Sequence, residues 1–272
     1  MLLAVDIGNS TAAFGLFPAP RSRRGLRVKK VPSKPAAAAE YRSVVSDLLC
    51  AAGSGGAPLS ASGEPLHAVV SSVVPPVERV VLRALRGYIT AEALVVSSSL
   101  KTGLEFAVKR HHLVGTDRIA NAVAATHLCG CPTAVADFGT ATTITVVGKR
   151  NRFLGGTILP GLGLMQRSLH HGTAQLPEVS LLRPRAVLGN DTASSISSGI
   201  VHGTAGAIEH IVRGIEKAHH FRVNLVLTGG YARLISPFLE KAHVTRPMLT
   251  LEGLRLIYLK NCTGIQRDAI SQ

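Results

Sequence analysis

Two stretches of the chain share one pattern of apolar and polar positions. Leu2-Leu3-Ala4-Val5 and Ala134-Val135-Ala136 are short apolar runs, and each leads into Asp, one apolar residue, Gly, two small residues and Thr. The first copy reads Asp6-Ile7-Gly8-Asn9-Ser10-Thr11 and the second Asp137-Phe138-Gly139-Thr140-Ala141-Thr142. Apolar runs bounded by turn residues read as strands. The pattern therefore predicts a hairpin of Leu2–Val5 with Ala12–Phe17, and a meander of Thr133–Ala136, Thr143–Val147 and Phe153–Ile158. The repetition implies two half-molecules of one design.

Between and after these repeats the periodicity alternates. A helix is predicted over Glu40–Ala52, inside a Pro-, Ala- and Gly-rich stretch from Lys34 to Pro65. A buried strand follows at Ala68–Val74 and stops at Pro75-Pro76; a helix then runs to about Tyr88, and Ala93–Ser97 reads as a short strand. Ile119, Ala122, Val123 and Thr126 fall at helical spacing, which predicts a helix over Gly115–Cys129 linking the halves. Ala193–Ala218 reads as a long helix despite Gly199, Gly203 and Gly206. Asn224–Leu227 is a last buried strand, ending at Thr228-Gly229-Gly230-Tyr231. The expected division is 1–114 for an N-terminal α/β lobe and 115–272 for a C-terminal one.

The turns carry chemistry as well as geometry. A glycine turn exposes successive backbone N–H groups that can cradle phosphate oxygens, hydroxyls add donors, and an Asp can hold or orient Mg²⁺. One such turn is ordinary hairpin chemistry. Two of them read as a nucleotide clamp, and the Gly229-Gly230 turn as a place for adenosine or phosphate.

Composition narrows the setting. The 272 residues are 46% hydrophobic, enough for substantial cores, and 30 Lys and Arg against 16 Asp and Glu give a formal charge of +14. That charge favours anionic ligands. Arg21, Arg23, Arg24, Arg27, Lys29 and Lys30 form a basic run, but no aromatic side chain interleaves them. A solvated hairpin loop is expected there, and nucleic acid is an unlikely partner on this reading. Cys50, Cys129, Cys131 and Cys262 lack the spacing of a metal site or disulfide scaffold, so reduced and mostly buried thiols are expected. The histidine pairs at 111–112, 170–171 and 219–220 lack acidic spacing for zinc. Met1–Val5 is too short for a signal core, and no run is long enough to span a bilayer. A cytoplasmic protein without membrane association is the expectation.

Asp6–Thr11, Gly115–Arg118, Asp137–Thr142, Gly155–Gly161, Thr173–Pro177 and Thr228–Gly230, in this order, resemble the type III pantothenate kinases nearly end to end. Ser71–Pro75, Leu188–Thr192 and Leu249–Arg255 also look like stretches typical of that family. The resemblance implies an α/β fold of the duplicated actin-like ATPase, acetate and sugar kinase superfamily, with two ribonuclease-H-like lobes around a cleft. It also implies a homodimer that phosphorylates pantothenate with ATP, using Mg²⁺ and a monovalent cation, K⁺ or NH₄⁺.

Carried over by position, Asp117 resembles the family's general base. Gly115, Thr116 and Arg118 look like pantothenate contacts, joined by Thr192. Asp6, Gly8, Asn9, Ser10 and Thr11 form the first phosphate loop, with Asp6 on Mg²⁺ through phosphate. Gly139, Thr140 and Thr142 form the second loop, Gly229 and Gly230 complete the ATP contacts, and Asp137 matches the monovalent-cation ligand. From local sequence alone, Asp117 reads equally as a first-turn acid of a helix beside Arg118. The chain departs from the family where Phe106 and Lys109-Arg110-His111-His112 replace a Tyr and often a Pro. It departs again where Gly172 stands for a frequent Arg, with Arg167, His170 or His171 as substitutes, and where Asp191 stands for Asn. A kinase of another small alcohol and a non-catalytic regulatory protein of the same fold are the alternative readings.

Overall fold

The computed structural model describes residues 1–35, 37–52 and 65–262. Of the Lys34–Pro65 stretch, residues 36 and 53–64 lie outside the described ones. The chain runs β1 (Leu2–Ile7), β2 (Thr11–Phe17), β3 (Arg27–Pro32), α1 (Ala38–Ala51), β4 (His67–Ser72), α2 (Pro75–Leu85), β5 (Leu94–Val95), β6 (Glu105–Phe106) and α3 (Thr116–Cys129). It continues through β7 (Thr133–Phe138), β8 (Ala141–Val147), β9 (Arg152–Pro160), α4 (Leu162–His171), α5 (Thr192–His219), β10 (Asn224–Thr228), α6 (Ala232–Ile235), β11 (His243–Thr245) and α7 (Leu249–Cys262).

Two sheets result, and one is the other repeated. The first has the order β3-β2-β1-β4-β5 and the second β11-β10-β7-β8-β9-β6. Leaving aside the short edge strand β6, the second sheet read from β9 matches the first. β1 pairs antiparallel with β2 and parallel with β4, and β7 pairs antiparallel with β8 and parallel with β10. Even the burial sequence recurs, with four buried residues, a half-buried Asp and a buried apolar residue in both β1 and β7. Central strands covered on both faces must be apolar almost throughout, which is why the repeat showed as apolar runs and not as alternation.

By packing, the chain forms two compact units. One holds Met1–Leu104, Lys109–Ala124 and Thr250–Gln272, and the other Glu105–Val108 and Ala125–Leu249. The cut differs from a single break at 114/115 because the chain returns: the start of α3, and α7 from Thr250 on, belong to the unit of the first sheet. In the first unit Phe14 stacks on Tyr41 with ring centroids 5.9 Å apart, and Tyr41 donates to the Lys34 carbonyl at 2.7 Å. In the second, Phe138, Ile144 and Leu162 pack under Ile200, Val201 and Ile208 of α5. The glycines of α5 interrupt neither its 28 residues nor its packing.

Two expectations change. The basic run is not only a loop: Arg27, Lys29 and Lys30 belong to β3, an edge strand, where charged residues discourage pairing with another chain. The cysteines are free as expected, but Cys50 is exposed and the other three are half-buried, so none is a core thiol.

α7 meets α3 at a point that admits no side chain. A Cβ at Gly253 would lie 2.0 Å from the Ala120 carbonyl oxygen. Gly253→Ala is therefore expected to destabilise the protein by about 1–3 kcal/mol through overpacking. Gly214→Ala in α5, where nothing lies within 4 Å, is expected to be neutral or stabilising by up to about 1 kcal/mol. Urea unfolding of both variants checks the pair.

Candidate active site

In the first unit, burial of Leu2–Val5 makes Asp6 the first residue of β1 to reach solvent, half-buried at the strand's end. The chain then turns, with the Gly8 N–H donating to the Thr11 carbonyl at 3.0 Å, and leaves Asn9, Ser10 and Thr11 exposed. On the parallel neighbour β4, Ser71 lies beside Asp6 and Ser72 beside Ile7. The ladder continues as the Val73 N–H donates to the Ile7 carbonyl at 3.0 Å.

The start of α3 is tied to this edge. The Thr116 hydroxyl donates to the Ser72 carbonyl at 3.1 Å and accepts from the Ser72 N–H at 3.0 Å; the Ser71 hydroxyl lies 2.9 Å away. The next residue is Asp117. Its Oδ1 accepts from the Arg118 N–H at 2.8 Å and folds back so far that a Cβ on Gly115 would lie 2.5 Å from it. A side chain at 115 would therefore displace the Asp117 carboxyl. Burial pushes the Asp117 carboxyl above the usual carboxylate range, and the Arg118 N–H and guanidinium offset only part of that shift. Burial also lowers the Arg118 pKa, an effect that Asp117 opposes. The carboxyl thus accepts a first-turn N–H of α3, as a helix-terminal acid does, and its raised pKa beside a cation adds the character of a functional group.

The second unit repeats the strand end with one residue removed from its turn. The Gly139 N–H donates to the Ala141 carbonyl at 3.1 Å, two residues on, where Gly8 reaches three. The ladders fix the correspondence: Ile7 lies opposite Ala12, and Phe138 opposite Thr142. Ser10 and Thr140 likewise accept from the residues just after β3 and β9, Ser33 at 3.0 Å and Gly161 at 3.1 Å. Thr140 thus occupies the place of Ser10, and Thr142 that of Ala12, not that of Thr11 as the letter pattern suggests. Thr142 is fully buried. It lines a cavity of about 180 Å³ with Leu159, Met165, Gly199, Gly203 and Thr204. The hydroxyls of Thr142 and Thr204 have no hydrogen-bond partner among the described residues.

Around Asp137 the backbone closes tightly. Gly229 has φ +91°, and a Cβ there would lie 2.5 Å from Asp137 Oδ1 and 2.6 Å from the Phe138 backbone. The Tyr231 N–H donates to the Phe138 carbonyl at 3.3 Å, which holds the Gly229-Gly230 turn against the end of β7. A Cβ on Gly161 would lie 2.3 Å from the Thr140 carbonyl. Sequence reading placed Gly161 only within a motif stretch, and this near-contact gives the reason for it.

The remaining candidates lie further off. Thr192 is exposed at the start of α5, whose cap is Asp191: Asp191 Oδ1 accepts from the Ser194 N–H at 2.7 Å, and this bond depresses its pKa. A capping role accounts for the acid at 191. Phe106 packs on Phe153, centroids 5.3 Å apart, in the second unit. His111 and His112 are exposed, with His111 Nδ1 at 2.9 Å from the Ser98 hydroxyl. A side chain at Gly172 would crowd the Ser168 carbonyl at 2.7 Å, which accounts for the missing Arg, and His170 is bound to the Leu176 carbonyl at 2.8 Å.

Residues 2–214 match the family model described as type III pantothenate kinase. A type III pantothenate kinase from Brevibacillus brevis is 37% identical over 261 residues, 96% of this chain and 99% of the relative. Among solved structures, a conserved Baf family protein from Campylobacter jejuni aligns with TM-score 0.57 at 18% identity, covering 94% of this chain and 96% of that one. The activator of 2-hydroxyisocaproyl-CoA dehydratase from Clostridium difficile, with bound ADPNP, aligns with TM-score 0.55 at 11% identity, covering 100% and 98%. These likenesses show that the chain shares the fold of those two proteins.

Thr142→Val removes an orphan buried hydroxyl at nearly constant volume and is expected to raise unfolding stability by about 1 kcal/mol. Urea titration measures it. Weakened nucleotide binding by calorimetry, with no gain in stability, would instead place the hydroxyl on the nucleotide.

Proposed function

The chain belongs to the type III pantothenate kinase family and phosphorylates pantothenate with ATP in coenzyme A synthesis; we propose that Asp117 is the base of that reaction and Arg118 the anchor of its substrate. The observation that carries this reading is the half-buried carboxyl of Asp117, its pKa raised by desolvation and set beside the Arg118 guanidinium at the start of α3.

Phosphoryl transfer asks the protein mainly for position and charge. Its transition state is loose, and the hydroxyl proton leaves late. Asp117 accepts a hydrogen bond from the primary hydroxyl of pantothenate, aims its oxygen along the line of attack and receives the proton as the new bond forms. Arg118 meets the pantothenate carboxylate with paired hydrogen bonds. The turn Gly8–Thr11 and the turn at Gly139-Thr140 offer N–H and hydroxyl donors to phosphate oxygens.

Asp6 and Asp137 present hard carboxylate oxygens at equivalent strand ends beside those donors, a set that suits Mg²⁺ at Asp6 and K⁺ or NH₄⁺ at Asp137. When bound, the cations neutralise charge that develops on the phosphates. The bound ADPNP of the Clostridium activator supports a nucleotide role for this fold. A homodimer is the inferred state, supported by exposed Ile158 and Leu164 and by the exposed Gly199, Gly203 and Gly206 of α5; a cytoplasmic setting is inferred from the metabolic reaction of the family.

Mass-spectrometric detection of 4′-phosphopantothenate, made from pantothenate, Mg-ATP and K⁺, tests the reading. Asp117→Asn is expected to lower kcat by about 10²–10⁴-fold, and replacing K⁺ by Na⁺ to lower it separately. Undiminished turnover in Asp117→Asn would remove Asp117 as the base.

The raised pKa also has a sign that can be measured. Folding raises the Asp117 pKa relative to the unfolded chain, so the group contributes no pH-dependent penalty below the unfolded carboxylate pKa and destabilises the fold increasingly as pH rises from there through the folded value. Asp117→Asn is therefore expected to melt above the wild type near neutral pH and to converge with it in acid. The acid limb of kcat/KM should lie above the ordinary carboxylate range.

A further inference from the structure

Thr116 stands next to the proposed base, yet its hydroxyl has nothing left to offer a substrate. A hydroxyl has one proton and two lone pairs. Here the proton goes to the Ser72 carbonyl at 3.1 Å, and one lone pair accepts from the Ser72 N–H at 3.0 Å. The other faces the Ser71 hydroxyl at 2.9 Å, which must then be the donor. Ser71 is itself fully buried and lies beside Asp6 in the parallel β1–β4 ladder. Four residues therefore form one mechanical chain: Asp6 on β1, Ser71 on β4, Thr116 at the first position of α3, and Asp117 one residue on. All four belong to the first unit.

We propose that the saturated Ser71–Thr116–Ser72 hydrogen-bond set is a positioning device that fixes the Asp117 carboxylate relative to Asp6, and that Thr116 acts through it and not by contact with pantothenate. The inference rests on the reading of Asp117 as the base. Helix termini are soft, because their first N–H groups lack partners within the helix. A first-turn carboxylate on an untied terminus would move with it. Tying Thr116 to both the N–H and the carbonyl of Ser72 removes that freedom at the residue before the base. Misplacement of a reacting group by about 1 Å costs on the order of 10²-fold, so a latch of three hydrogen bonds has kinetic leverage without touching substrate.

The test is steady-state kinetics on the full chain with Thr116→Val, Thr116→Ser, Ser71→Ala and Asp117→Asn, together with the double variant Thr116→Val/Asp117→Asn. Thr116→Val is expected to lower kcat by about 10–100-fold, with KM for pantothenate changed less than about 3-fold. Thr116→Ser, which keeps the hydroxyl, should restore most of kcat, and Ser71→Ala should fall between. In the Asp117→Asn background, Thr116→Val should cost less than about 2-fold, because a device acting through the base has nothing left to position.

A large rise in KM with kcat preserved would overturn the proposal in favour of direct substrate contact. Equal losses in both backgrounds, or a lowered melting temperature with unchanged kcat per folded molecule, would overturn it in favour of a general structural role. If Asp117→Asn alone keeps full activity, the base reading fails first, and the double variant shows this separately.

Discussion

The molecule depends on one constraint: each sheet has a central strand buried on both faces, and a carboxylate can be carried only where that strand emerges. Leu2–Val5 and Thr133–Ala136 are shut away between an antiparallel hairpin partner and a parallel neighbour. An ionised side chain inside either run would be prohibitively costly. The fifth position of each strand is the first at which Asp is tolerable, and the chain must turn immediately afterwards. Strand end, acid, glycine turn and exposed donors therefore come as a set. Ser71 and Thr228 lie beside the two acids because the parallel strands are in register with them.

Much of this was legible in sequence because it is local. Hairpin turns, apolar runs and the helical spacing of α3 and α5 are recorded in residues a few positions apart, and these elements were placed to within a few residues. What escaped depended on partners far along the chain. β6 and β11 are two and three residues long and exist only because β9 and β10 offer them an edge. α7 was visible only as a motif stretch, and its place against α3 follows from a glycine that lets two backbones nearly touch. The repeated Asp-x-Gly-x-x-Thr aligned Thr142 with Thr11, whereas hydrogen-bond register aligns it with Ala12. Letters count residues, and a turn shortened by one residue shifts every later side chain to the opposite face.

The catalytic candidates divide along the same line. Asp6, Asp117 and Asp137 are recognisable from their motifs, but the raised pKa of Asp117 comes from desolvation in the folded chain, which a motif does not record. Asp191 and Gly172 looked like departures from a pattern. In the structure each has a local physical reason, a helix cap in one case and a crowded carbonyl in the other.

The repeat also bears on how such a chain finds its fold. β1 and β7 carry the same burial sequence, so a collapsing chain holds two strands that could exchange partners, and repeated architectures are prone to that misassembly. Local hairpins close in about 1–10 μs, well before segments some 130 residues apart in sequence can settle into register. Each strand is therefore expected to pair first with the partner that follows it across its own turn, which keeps two nearly identical halves apart while they fold.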